Sequence, residues 1–405
     1  MNASRRALWA CFFCALAVRV AWVGLRCWQD GARLEFPDER LHWALAAHLT
    51  HAGALVSDDG RYAARMPVYP VFLALFAWLG TPGIAAARLA QAALGAAAAP
   101  LALWLAASAA GRRAGLVAAA LVCLDPFAVF FSNLLLTETL FTSLGLALAC
   151  ATWALATRER PTRGQLLAFC ALGPLALMTR PSAAPWILAL WLLLAAWRGR
   201  QASVWLALAA MTLAAPLGAW GLRNQLVLGD PAWLSANGGV TLYDGQRPDA
   251  DGGSDQTFLR TLPQLAGLDE IERDRVLRKL AVEQMRRDPG RVLRLAVVKL
   301  GRTWNPFPNA DAYRAGPAAW AGAAFSVLLM GGAAFGTVCS VAAWKRRPGA
   351  LGRLLFLCWT PLLYFTALHC IFVGSVRYRV PLMPFLGVLA ALTLAAGSRR
   401  NHGAG

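Results

Sequence analysis

Apolar runs of about twenty residues, parted by short turns that carry arginine, recur along nearly the whole of this 405-residue chain. That rhythm constrains the fold more than any single motif does. A run of that length matches the hydrocarbon thickness of a bilayer, and a helix satisfies its own backbone hydrogen bonds there. Composition agrees: 58% of the residues are hydrophobic and 15% are charged, against roughly a quarter charged in a soluble domain. The expected class is an all-α polytopic membrane protein with about ten transmembrane helices plus interfacial or re-entrant helices.

Spans are expected near 7–25, 84–110, 114–131 and 140–156, twice between 163 and 198, and then near 204–222, 318–343, 351–372 and 380–396. Arg5-Arg6, Arg112-Arg113, Arg158 to Arg163, Arg198-Gly199-Arg200, Lys345-Arg346-Arg347 and Arg399-Arg400 then all fall on one side, which basic residues mark as cytoplasmic. Arg5-Arg6 before an apolar run resembles a signal peptide. Arg19 interrupts that run and no small-residue cleavage site follows, so an uncleaved first span is expected. Residues 1–222 are expected to form an N-terminal transmembrane module, the candidate catalytic part, whose first outer loop is 26–83. Residues 223–317 form an outer loop with amphipathic helices, and 318–405 the C-terminal spans. Within the outer loop, Ile271, Val276, Leu280 and Met285 share a stripe over 269–286. The stretch 68–79 is short for a crossing and reads as re-entrant or surface-lying.

The net charge of +18 raises nucleic acid as a partner. Its arginines lie at span ends and in one loop, which fits lipid headgroups or a phosphate substrate and not nucleic acid. The nine cysteines sit mostly in apolar stretches without paired spacing, so they read as small buried hydrophobes. His48 and His51 are three apart, but a zinc site needs further ligands and none is paired nearby, so no metal is expected.

The chemistry-bearing residues gather on the opposite, outer side. Asp38 and Glu39 follow Pro37 just beyond the first span. A carboxylate at a low-dielectric boundary can serve as a general base, whereas the plainer reading is an acidic first turn of a helix. Glu138, between apolar runs, is a functional candidate because an ionisable group there is expensive; a role at a helix start is the alternative. Arg65, Arg180, Arg223, Arg377 and Arg379 end spans on that side, and the guanidinium fork matches phosphate oxygens. Each one alone also fits an arginine reaching ordinary lipid phosphates.

These residues form a pattern that resembles the family 39-like integral-membrane glycosyltransferases of GT-C fold, which include the protein O-mannosyltransferases and lipid A aminoarabinose transferases. The resemblance rests on Pro37-Asp38-Glu39, Arg65-x-Pro67-x-Tyr69-Pro70, Thr137-Glu138, Arg180-Pro181, Trp220-x-x-Arg223-Asn224 and Arg377-Tyr378-x-x-Pro381-x-x-Pro384, in the family's order. It implies transfer of a sugar, with inversion, from a polyprenyl-phosphate donor to a hydroxyl of a lipid, glycan or protein acceptor. The implied site lies on the non-cytoplasmic face, in bacteria the periplasmic side of the inner membrane. By the same resemblance Asp38 is the base and Glu138 the second acidic residue. Arg65, Arg223, Arg377 and Tyr378 hold the donor phosphate, with Glu39, Tyr69 and Arg180 in support, and no cofactor is needed. The chain departs from family members that carry a large outer domain, which leaves the acceptor open. A multi-pass transporter or flippase is the competing class. Transporters usually place polar groups near mid-membrane in repeated halves, whereas here the candidates lie on one face.

Overall fold

The computed structural model describes residues 4–346 and 349–394; Arg347, Arg399 and Arg400, expected at the cytoplasmic side, lie outside them. Every regular element among the described residues is helical. The order is α1 (Arg5–Asp30), α2 (Pro37–Ala52), α3 (Val68–Ala77), α4 (Thr81–Ala96), α5 (Ala98–Ala110), α6 (Arg112–Leu124), α7 (Pro126–Phe131), α8 (Thr137–Thr157) and α9 (Arg163–Thr179). There follow α10 (Ala184–Arg198), α11 (Ala202–Leu228), α12 (Gly238–Gln246), α13 (Phe258–Thr261), α14 (Glu270–Arg287), α15 (Pro289–Thr303), α16 (Pro317–Arg346), α17 (Ala350–Ile371) and α18 (Met383–Ala391).

Six helical stretches among the described residues are long and apolar enough to cross a membrane: 5–30, 81–110, 137–157, 181–228, 317–344 and 350–371. The longest, 181–228, divides at a short 3-10 turn, Gly199–Gln201, into α10 and α11. The chain is thus a multi-pass membrane protein. The other expected spans exist as shorter helices. The run 114–131 breaks at Asp125-Pro126, where Asp125 accepts from the Phe127 and Ala128 amides and starts α7. Pro126 cannot continue the ladder of α6, and the carboxylate supplies the new helix with a cap. The run 380–396 begins in a 3-10 turn, Val376–Leu382, before α18.

The main core joins α5, α6, α8, α9, α10, α17 and α18, with α8 buried along almost its whole length. Alanine and glycine permit this: a Cβ on Gly336 would meet the Leu389 carbonyl at 2.0 Å, so α16 and α18 touch backbone to backbone. Helix α11 continues through Arg223 and Asn224 to Leu228 and stops at Gly229, whose φ of 71° is left-handed. Those two residues therefore lie within α11, and the hydrophilic stretch leaves the helix at Gly229. The apolar Leu226-Val227-Leu228 that follows the arginine sustains the helix.

Candidate active site

A cavity of about 1280 Å³ opens between the segment that follows α1, the ends of several spans and the helices between α11 and α16, the stretch expected from the sequence to be the outer loop. Spans and α7 supply an apolar wall, including Trp22, Phe127, Phe130, Pro185 and Gly322. The outer loop supplies a polar wall, including Asn237, Thr241, Asp244, Ser254 and Gln256. The lining also includes Asp38, His42, Arg65, Arg180, Arg377 and Tyr378.

Helix α2 positions the carboxylates. Pro37 opens it, and Glu39 folds back to accept from the Glu35 and Phe36 amides (2.9 and 3.1 Å), satisfying donors that a helix start leaves free. Its other oxygen accepts from the Leu135 amide at 2.8 Å, so the loop before α8 is pinned to α2. Glu39 is fully buried, absent from the cavity lining, and holds the scaffold together. Its neighbour Asp38 points the other way, and 35% of its side chain is exposed.

Asp38 pairs with two guanidiniums: Oδ1 with Arg65 Nη2 at 2.9 Å and Oδ2 with Arg377 Nη1 at 2.5 Å. Burial alone would push its carboxyl up, but Arg377 and Arg65 override that and hold it well below the usual carboxylate range. Arg377 also donates through Nε to Glu138, so one guanidinium bridges two carboxylates from helices a hundred residues apart in sequence. Arg180 approaches the same Glu138 oxygen at 3.4 Å. Glu138 itself is fully buried, and its Oε2 has no hydrogen-bond partner among the described residues. Two cations thus neutralise an intramembrane acid that would otherwise be costly.

Tyr378 stacks face to face on His369, with centroids 4.0 Å apart, and Arg180 lies over its ring at 5.8 Å. Tyr69 is buried behind the site and donates to Gln91 Oε1 at 2.7 Å. The Gln91 amide donates to the carbonyls of Ser132 and Leu134, so Tyr69 supports the loop leading to Thr137-Glu138.

Of the sequence candidates, Glu39, Tyr69, Glu138, Arg223 and Arg379 do not line the cavity, and the last two also lie outside the cluster around Asp38 and Glu138. Arg223 donates to the Tyr62 and Leu55 carbonyls (2.7 and 2.8 Å) and to Asn224, stacks on Trp220, and does not line the cavity. It fastens α11 to the first outer loop. Arg379 is likewise buried, donating to the Asn305 carbonyl and to Ser326. His48 bonds the Val56 carbonyl at 2.7 Å, and no group of three metal-ligating side chains gathers among the described residues.

Sequence reasoning passed over His42 and Gln91 as site residues. His42 lies one helical turn after Asp38, is buried edge-on against Tyr69, and its Nδ1 has no partner among the described residues. Burial, with Arg65 close by, pushes its imidazole down to about 3, so it is neutral. Its spacing from Asp38 was the available signal. For Gln91, an amide inside an apolar span was the signal.

No family model matches this chain, and no curated protein matches it. Two solved structures share its fold. One is ArnT from Cupriavidus metallidurans bound to undecaprenyl phosphate, with a TM-score of 0.51, 15% identity, and coverage of 99% of this chain and 62% of that one. The other is the archaeal oligosaccharyltransferase AglB from Archaeoglobus fulgidus, in complex with an inhibitory peptide and a dolichol-phosphate. Its TM-score is 0.60 at 14% identity, covering 98% of this chain and 51% of that one. The chain therefore spans about three fifths and one half of the lengths of these two proteins. It is a polytopic membrane protein with a GT-C-like fold.

Proposed function

We propose that this chain is a glycosyltransferase that moves a sugar from a polyprenyl-phosphate carrier to an acceptor hydroxyl, on the periplasmic or outer face of a bacterial inner membrane. The observation that carries this reading is the meeting of Asp38, Arg65 and Arg377 in a cavity lined by both apolar and polar residues. An isoprenoid phosphate is itself half apolar chain and half anion. Two solved structures that share this fold were determined with a polyprenyl phosphate, one undecaprenyl and one dolichol.

In this reading Arg65, Arg377 and Arg180 engage the donor phosphate, and Tyr378 closes the site beside them. Asp38 takes the proton of the acceptor hydroxyl as its oxygen attacks the anomeric carbon. The carbon–oxygen bond to phosphate breaks, its electron pair leaves on the polyprenyl phosphate, and the sugar carbon inverts. The arginines stabilise the charge that develops on the leaving group. Asp38 clasped by two guanidiniums is a weak base. A donor phosphate competes for those guanidiniums, so donor binding raises the basicity of Asp38. Glu138 keeps hold of Arg377 Nε meanwhile, which makes it a positioning residue.

The test is sugar transfer by purified protein in proteoliposomes, supplied with lipid-linked sugars and acceptors extracted from bacterial membranes. Asp38→Asn is expected to lower turnover by about 100- to 10,000-fold, the usual contribution of a general base, while undecaprenyl phosphate still binds. Undiminished transfer by Asp38→Asn would remove this residue from the mechanism.

A further inference from the structure

Helix α15 divides into sectors that an ordinary surface helix does not show. Leu295, Lys299 and Thr303, at four-residue intervals, form its buried line. On another face Leu293, Val297 and Leu300 are 69%, 64% and 41% exposed, and their three- and four-residue spacing makes them a continuous stripe. Arg294 is exposed beside that stripe. Arg291 and Arg302 turn toward protein, donating to the carbonyls of Gln246 and Gly374. A surface helix in water hides its aliphatic side chains and leaves its lysine outside. Here the lysine is inside and the aliphatic stripe is out.

The contacts of α15 fix its depth. Lys299 Nζ donates to the carbonyl of Ile371, the last residue of the span α17, at 2.8 Å, and to that of Gly245 at 2.7 Å. Trp304, which caps α15, donates from Nε1 to Thr366 Oγ1 of the same span at 3.2 Å. The helix is therefore seated against the outer end of a membrane-spanning helix. That span exposes its own last residue, Ile371, so two neighbouring helices present apolar surface at the same end.

We infer that α15 lies in the membrane, with Leu293, Val297 and Leu300 inserted at the boundary between headgroups and acyl chains of the leaflet on the cavity side, and Arg294 among the headgroups. The occupant of this face is lipid of the bilayer that the spans cross. Continuity with the apolar end of α17 carries the assignment, as does an aliphatic stripe flanked by a cation, the pattern of helices that lie in an interface. The placement also anchors the cavity: Arg302 and Gly374, both in its lining, are tied to each other at this depth.

The test uses the full-length chain in phosphatidylcholine–phosphatidylglycerol vesicles. A fluorescent non-natural amino acid is introduced in place of Val297 and, in a second protein, in place of the exposed Arg286 at the end of α14. Lipids brominated high on the acyl chain are expected to quench the probe at 297 by about two-fold or more, and aqueous iodide to quench it weakly, as for a shallowly inserted helix. The probe at 286 should show the reverse order. Strong iodide quenching at 297 without lipid quenching would place the stripe in water and overturn the inference. Quenching by neither reagent would mean that protein covers it, a second copy or another chain, and would overturn it equally.

Discussion

At the scale of single residues, the site depends on neutral and charged groups being kept in fixed states by their surroundings. His42 is the clearest case. Its folded value, about 3, lies below the ordinary value of about 6.5, so the unfolded chain binds a proton that the folded chain refuses. The stability that follows is fully present above about pH 6.5 and is lost as pH falls from there toward 3. Asp38 behaves differently. Its folded value is depressed, so its contribution is present above about 3.9 and constant through the neutral range. Thermal unfolding followed from pH 7 down to pH 4.5 should therefore show a falling midpoint, and His42→Phe should flatten that slope. An unchanged slope would mean that His42 is not buried neutral. The adjacent pair Asp38-Glu39 illustrates what residue patterns left undecided. Catalysis and helix capping both fitted the pair; in the structure Glu39 accepts from backbone amides, whereas Asp38 faces the cavity, where the proposed function gives it the base.

At the scale of elements, the outer loop is held to the spans by close backbone approach, which glycine alone allows. A Cβ on Gly245 would sit 2.0 Å from the carbonyl oxygen of Phe372, just after α17; within the loop itself, one on Gly239 would sit 1.9 Å from that of Asp274 in α14. Gly245→Ala must lift α12 from the segment 371–374, which leads directly into Arg377. Overpacking of this kind costs about 1–3 kcal/mol, and it should lower both the unfolding midpoint in detergent and donor binding. If the variant matched the native protein in both, α12 would not brace the site. Long apolar runs made α1, α8, α11, α16 and α17 legible, because hydropathy over twenty residues reports a span regardless of partners. The helical stripe at 269–286 was legible for the same kind of reason and corresponds to α14. The break at Asp125-Pro126 was not, since the apolar run passes straight through it and only the capping geometry shows why the helix restarts. Helix α15 was not singled out, although Leu293, Val297 and Leu300 recur at the three- and four-residue spacing of an amphipathic helix; the sequence does not tell whether such a stripe meets protein or lipid.

At the scale of the whole molecule, the cavity exists because segments far apart in sequence are locked at one end of the helix bundle, and arginines do two different jobs in that locking. Arg377 joins α2 to α8 inside the cavity. Arg223 joins α11 to the first outer loop behind it, while Glu270 of α14 accepts from the Tyr62 and Ala63 amides of that same loop. The loop bearing Arg65 is thus gripped from two sides before it reaches Asp38. Sequence could not separate these jobs, because an arginine at a span end looks the same whether it meets a phosphate or a backbone carbonyl. Paired substitutions can. Arg377→Ala removes a cavity cation and leaves Glu138 less neutralised, so retention of undecaprenyl phosphate in native mass spectrometry should fall by at least about ten-fold, as for loss of a charge-assisted bond. Arg223→Ala leaves two loop carbonyls without their donor, at a cost of about 1–3 kcal/mol in stability. Its lipid retention, measured below the lowered midpoint, should stay close to that of the native protein. Equal loss of lipid from both variants would mean that Arg223 contributes to the phosphate site from outside the cavity, and the division of labour argued here would fall.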